Sequence, residues 1–65
     1  MIKVDSKVRI KTVNEIGGLF PDTEFYNWIL ENGGKVYIVR EVRGKMIRLQ
    51  GFDFCMYMED VEEIG

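Results

Sequence analysis

Between Gly34 and Met58 the chain reads KVYIVREV, RG, KMIRLQ, G, FDFCMY: three alternating runs separated by one or two residues at a glycine. A period of two is that of a half-buried strand. Gaps this short leave no room for a crossover, so each strand folds back antiparallel on the one before. The spacing predicts a meander of strands over 35–42, 45–50 and 52–57. Alternation puts Ile38 and Ile47 inside, and in the last run Phe52, Phe54 and Met56, because Asp53 shares the other face with Cys55 and Tyr57.

The N-terminal half adds one more strand and a helix. KVRIKT sets Val8 and Ile10 against Lys7, Arg9 and Lys11, which predicts a strand over 7–12. TVNE has the form of a capping box, Thr12 to Glu15, but Gly17 and Gly18 limit the helix it starts to one or two turns. In FPDTEFYNWILENGG, Asp22 is the N-cap, Glu24 suits the positive helix end, and Phe25, Trp28 and Ile29 recur on one face before Gly33 and Gly34 stop the helix. These signals predict a helix over about residues 23–31. MEDVEEI then offers one helical turn, with Glu59 and Asp60 at its start, and a last short strand. The outline is mainly β: one domain over 1–65, a small, bent, partly open five-stranded barrel with one short helix in the long loop after the first strand.

Composition removes several chemistries. With 65 residues, one cysteine and no histidine, neither a disulfide framework nor a zinc site can be built within the chain, and no metal or other cofactor is expected. Cys55 lies mid-strand without a histidine to activate it, so it reads as a small core hydrophobe instead of a nucleophile. Glu62 and Glu63 are adjacent and point to opposite faces of a strand, which is wrong for a shared carboxylate site. The glycine pairs 17–18 and 33–34 lack the strand-then-helix context of a phosphate loop. An enzyme is not expected. No apolar run approaches the roughly 20 residues that span a bilayer, and MIKVDSKVRIK alternates where a signal peptide would be continuously apolar. A cytoplasmic protein with no membrane association is the expectation.

The second half, GKVYIVREVRGKMIRLQGFDFCMYMEDVEEI, resembles an SH3-like barrel. It is similar to the Gly-Lys-Val opening, glycine-turn hairpin and Leu-Glu-Pro-type ending of small SH3-like and Mind-bomb-type repeats. Those repeats carry a pair of aromatics before the final turn, where this chain has FCMYMEDVEE; that alignment would make Cys55 and Tyr57 the inward or groove-lining residues. Over nearly its whole length the order of strand, capped turn, helix ending at Gly-Lys, hairpin, aromatic strand and EDV-E tail is also similar to short uncharacterised proteins of bacterial genomes and their prophages. The resemblance implies an architecture and a bacterial or phage origin, and no activity.

Two surfaces are candidates for function. SH3-like domains that bind peptides present a groove of exposed aromatics, which here points to Tyr26, Trp28, Tyr37 and Tyr57, while Phe25, Trp28 and Phe52 also read as core. The favoured reading is a non-enzymatic protein-interaction module whose unidentified partner docks beside the helix-bearing loop. The alternative is a nucleic-acid-associated barrel using Arg40, Arg43, Lys45 and Arg48 of the 35–48 hairpin. A sequence isoelectric point near 5.0 argues against a dedicated phosphate binder, and acids at 53–63 are expected to cancel part of the basic first strand once the two strands are neighbours. The apolar character of 52–57 on both faces points to a monomer or a weak homodimer.

Overall fold

The computed structural model describes residues 1–18, 20 and 22–64. Along the chain lie β1 (Lys7–Ile10), α1 (Val13–Ile16), α2 (Thr23–Asn32), β2 (Val36–Arg43), β3 (Met46–Leu49), β4 (Cys55–Tyr57), a single 3-10 turn (Met58–Asp60) and β5 (Val61–Glu63). The five strands are antiparallel and form one sheet in the order β4-β3-β2-β1-β5. Among the described residues β4 and β5 are not bonded to each other, so the sheet has two edges and the barrel stays open.

The mainly β outline, with one helix of substance in the long first loop, is therefore the one the alternation predicts. The hairpin between β2 and β3 turns at Gly44-Lys45, with Gly44 at φ 57°, the glycine position such two-residue turns require. Val8 and Ile10 of β1 are fully buried. They join Ile29 of α2 and Val39, Ile47, Leu49, Met56 and Val61 from the other strands in one aliphatic core.

β2 departs from strict alternation. Its first half pairs with β1, Val8 opposite Tyr37, and its second half with β3, Val42 opposite Ile47; between Val39 and Glu41 the register shifts. Arg40 is the extra residue of a bulge, so inward residues run Tyr37, Val39, then Val42. Ile38, which alternation places inside, lies opposite Lys7, is only half-buried and stands apart from the core cluster; Val39 takes the buried place. Val39 and Val42 are three residues apart, and only a bulge lets both face the same core.

Strand ends move where another acceptor wins. β1 is assigned to Ile10; the Lys11 amide still follows the β5 register in donating to the Asp60 carbonyl (3.1 Å), but the Thr12 amide turns to Glu15 Oε1 (3.0 Å), closing the capping box and ending the strand. Residues 52–54, expected as strand, are not extended: a turn at Gln50-Gly51, with Gly51 at φ 93° and the Phe52 amide folded back to the Leu49 carbonyl (3.2 Å), leads into a bend at 53–54. Only Cys55–Tyr57 is extended.

α2 is held at both ends. Asp22 Oδ1 accepts from the Glu24 amide (2.9 Å). At the other end a Cβ on Gly33 would lie 2.9 Å from the Ile29 carbonyl oxygen and 3.1 Å from Thr12 Cα, so glycine alone lets the helix rest against the exit of β1. Asn32 is buried and satisfied. Its amide donates to the Trp28 carbonyl (2.9 Å) and its oxygen accepts from the Tyr37 hydroxyl (2.6 Å), tying α2 to β2.

Candidate functional site

Trp28, at the middle of α2, gathers the aromatics that the turn and bend before β4 bring back to the helix. Phe52 and Phe54 meet it edge-on at centroid distances of 5.2 and 5.3 Å, and Phe25, nearly one helical turn before it, stacks at 6.3 Å. Phe25, Trp28 and Phe54 of this cluster floor an open groove of about 970 Å³ between the helix-bearing loop and β4, with Phe52 behind them. Phe54 is 39% exposed and Tyr57 55%. The Trp28 indole N–H is buried with no acceptor among the described residues, an arrangement that costs about 1–3 kcal/mol wherever it occurs.

The rim is acidic. Glu15, Asp22 and Glu24 come from the loop side and Glu59 and Asp60 from the 3-10 turn, with Lys11 the one cation among the lining residues. Glu15 is neutralised. Arg9 donates to it from both terminal nitrogens (2.9 and 2.6 Å) and also reaches Glu62 on β5 (2.6 Å). The guanidinium, then the Thr12 amide, bring the Glu15 carboxyl down to about 2, and the two carboxylates raise Arg9. Asp22, Glu24, Glu59 and Asp60 have no ion-pair partner among the described residues. Lys11 spends its ammonium on the Glu59 carbonyl (2.8 Å). Burial, and after it the Glu59 charge, pushes the Asp60 carboxyl above its ordinary value, with Lys11 opposing.

No family model, curated protein or solved structure matches the chain. The geometry of the groove is therefore what bears on its function. Of the four aromatics singled out in the sequence, Trp28 and Tyr57 line the groove. Tyr37 lies behind it, its ring against Trp28 and Phe52 and its hydroxyl committed to Asn32. Tyr26 touches Phe20 edge-on (5.2 Å) but lines a separate shallow depression with Ile29 and Leu30. Met56 takes the inward position of β4, as alternation predicts, and leaves Cys55 exposed on the groove wall, where it is not the core hydrophobe that its lack of an activating partner suggested. Phe54, also expected inside, is left on the groove surface by the turn that precedes β4. Phe25, Trp28 and Phe52 are half-buried, packed against the core from the groove side.

The hairpin cations are mostly spoken for. Arg40 pairs with Asp5 (2.8 Å); Arg43 and Arg48 both bond Glu41 and hold its carboxyl below the usual range; Arg48 also donates to the Phe52 carbonyl (3.3 Å). Lys45 alone of the four has no ion pair among the described residues. Among the described residues no three carboxylate or thiol groups converge as metal ligands would, and no helix is long and apolar enough to cross a membrane.

Proposed function

We propose that this chain is a non-enzymatic protein-interaction module, an SH3-like barrel of a bacterial or phage cytoplasm, and that its partner docks in the groove between the helix-bearing loop and β4. The observation that carries this reading is the aromatic groove itself. A chain of 65 residues with a small aliphatic core leaves Phe54 and Tyr57 open to solvent beside Trp28, a contiguous apolar surface of the kind that marks interaction sites. The strand order, with β5 beside β1 and a single turn between β4 and β5, supports the SH3-like assignment. Pairing of three hairpin arginines with carboxylates supports a protein over a nucleic acid, since phosphates need uncompensated cations.

The test is site-specific photocrosslinking in the source cell, with p-benzoylphenylalanine at position 57 and, as control, at position 26. The reading expects a discrete protein adduct at 57 and none at 26. Equal adducts at both, or an adduct that nuclease removes, would overturn it.

A further inference from the structure

The groove has a wall that can do more than bury apolar side chains. β4 is an edge strand, and residues on either side of its free edge line the groove. With Met46 opposite Tyr57 and the Met58 amide on the Lys45 carbonyl (2.8 Å), the antiparallel ladder alternates so that Met56 turns its amide and carbonyl to β3, while Cys55 and Tyr57 turn theirs to the free edge. Those groups have no backbone partner among the described residues. β4 itself carries no charge, although charge is the usual means of blocking an edge.

We infer that the partner segment is an extended, cationic peptide that adds a strand to β4, bonding the Cys55 and Tyr57 backbone while apolar side chains lie on the aromatic floor and Arg or Lys side chains meet the acidic rim. This rests on the groove reading above and specifies its occupant. Three observations select it. Cys55, Met56 and Tyr57 of β4 line the groove together with Phe54 and Trp28, so a strand added about 4.8 Å from β4 would run along it and set alternate side chains towards those rings. The rim acids Asp22, Glu24, Glu59 and Asp60 have no ion pair among the described residues, and Lys11 on the rim is bonded to the Glu59 carbonyl. A second copy of the chain fits poorly: antiparallel β4-to-β4 pairing about Met56 sets Asp53 opposite Glu59, and β4-to-β5 pairing brings Glu62 and Glu63 to the acidic rim.

The experiment is an NMR titration of the intact chain with a short peptide of alternating arginine and leucine, run beside a version with glutamate for arginine and one N-methylated at alternate amides. Slowed hydrogen exchange at the Cys55 and Tyr57 amides is expected, with affinity falling about tenfold or more on N-methylation, no binding of the glutamate version, and weaker binding to the Glu59→Gln, Asp60→Asn double variant. Both altered peptides leave the protein untouched, so a loss cannot be blamed on misfolding. Binding that moves Trp28 and Phe54 resonances but leaves those amides unprotected and tolerates N-methylation would overturn strand addition and leave the groove reading standing. Equal binding of the glutamate version would overturn the cationic occupant. Protection of the same amides in the free chain, growing with protein concentration, would replace the peptide by a second copy. The crosslinks at position 57 test the groove itself, and their absence overturns both readings.

Discussion

At one edge of the sheet β5 carries Glu62 and Glu63, the first bonded to Arg9 and the second to the N-terminal ammonium (3.1 Å); at the other, β4 reads Cys55-Met56-Tyr57 without a charge. The two edges expose the same kind of unpaired backbone. One is guarded by ion pairs that hold it to its neighbour, and the other opens on an aromatic floor. An edge left uncharged beside apolar surface is a template for added strands, whereas the β5 edge repels them. On the function proposed above, the partner would take the β4 side of a very small molecule, while the ion pairs hold the β5 side to its neighbour.

The largest effect should come from the core beneath the open edge. Ile47 is fully buried opposite Met56, and Ile47→Ala should cost roughly 2–5 kcal/mol, enough to unfold much of so small a domain. Ile38→Ala, on the outer face of β2, should cost about 1 kcal/mol or less. Urea midpoints of the two variants measure this directly; equal losses would mean the bulge at Arg40 is absent and both isoleucines face the core.

Acid should expose the guarded edge next. The carboxyl of Glu15 is held near 2, below its ordinary 4.5, so the folded state binds this proton less readily than the unfolded one. Its contribution to stability is complete above about pH 4.5 and is lost as the pH falls from 4.5 towards 2. Denaturation midpoints taken across that window should fall less steeply in Glu15→Gln than in the parent. An unchanged slope would show that the Arg9 bridge does not form in solution.

Smaller still are the hairpin cations. Charge reversal at Arg43 or Lys45 should move stability by only about 0.5 kcal/mol each and should leave gel-shift assays with nucleic acid blank, as in the parent. A parent complex whose affinity falls steeply with salt and disappears on reversal would transfer the functional surface from the groove to the hairpin. Last, Tyr57→Ser should leave the urea midpoint within about 0.5 kcal/mol while abolishing peptide-induced quenching of Trp28, the single tryptophan. Full retention of that signal would move the contact away from β4.

Local chemistry made most of the elements legible in the sequence. Thr12 and Glu15, Asp22, Gly33 and Gly44 each mark an end or a turn through a hydrogen bond or a backbone angle that depends on nearby residues only. The bulge had no such marker, since Arg40 looks like any outward residue and only the demands of two different neighbours, β1 and β3, displace it. For the same reason residues 52–54 read as strand: their alternation is genuine, but the Phe52 and Phe54 rings answer to Trp28, more than 20 positions away. Half of the aromatic site was readable, Trp28 and Tyr57; Tyr37 was lost to Asn32, whose need for a hydroxyl cannot be seen before the helix is docked. The acidic rim escaped notice because it is assembled from the first loop and the last turn. Asp22, Glu24, Glu59 and Asp60 each read separately as a helix-start residue, and only the folded chain brings them to one groove.

Asn32 and Gly33 together have a chemical consequence. An asparagine followed by glycine is the sequence at which the next backbone nitrogen attacks the side-chain amide carbon, expelling ammonia and closing a succinimide that water then opens to aspartate or isoaspartate. Here that nitrogen donates its hydrogen to the Ile29 carbonyl (2.7 Å), and the Asn32 amide is buried between the Trp28 carbonyl and the Tyr37 hydroxyl, so neither reactant is free to approach the other. The folded chain therefore keeps this clock stopped and the unfolded chain runs it. Each passage through the unfolded state risks converting residue 32 to a carboxylate, which has no hydrogen to offer the Trp28 carbonyl and would carry a charge into a buried site. Spontaneous ageing of the protein should thus be set by how often it unfolds, and should read out as a one-dalton gain confined to the peptide that spans α2 and β2.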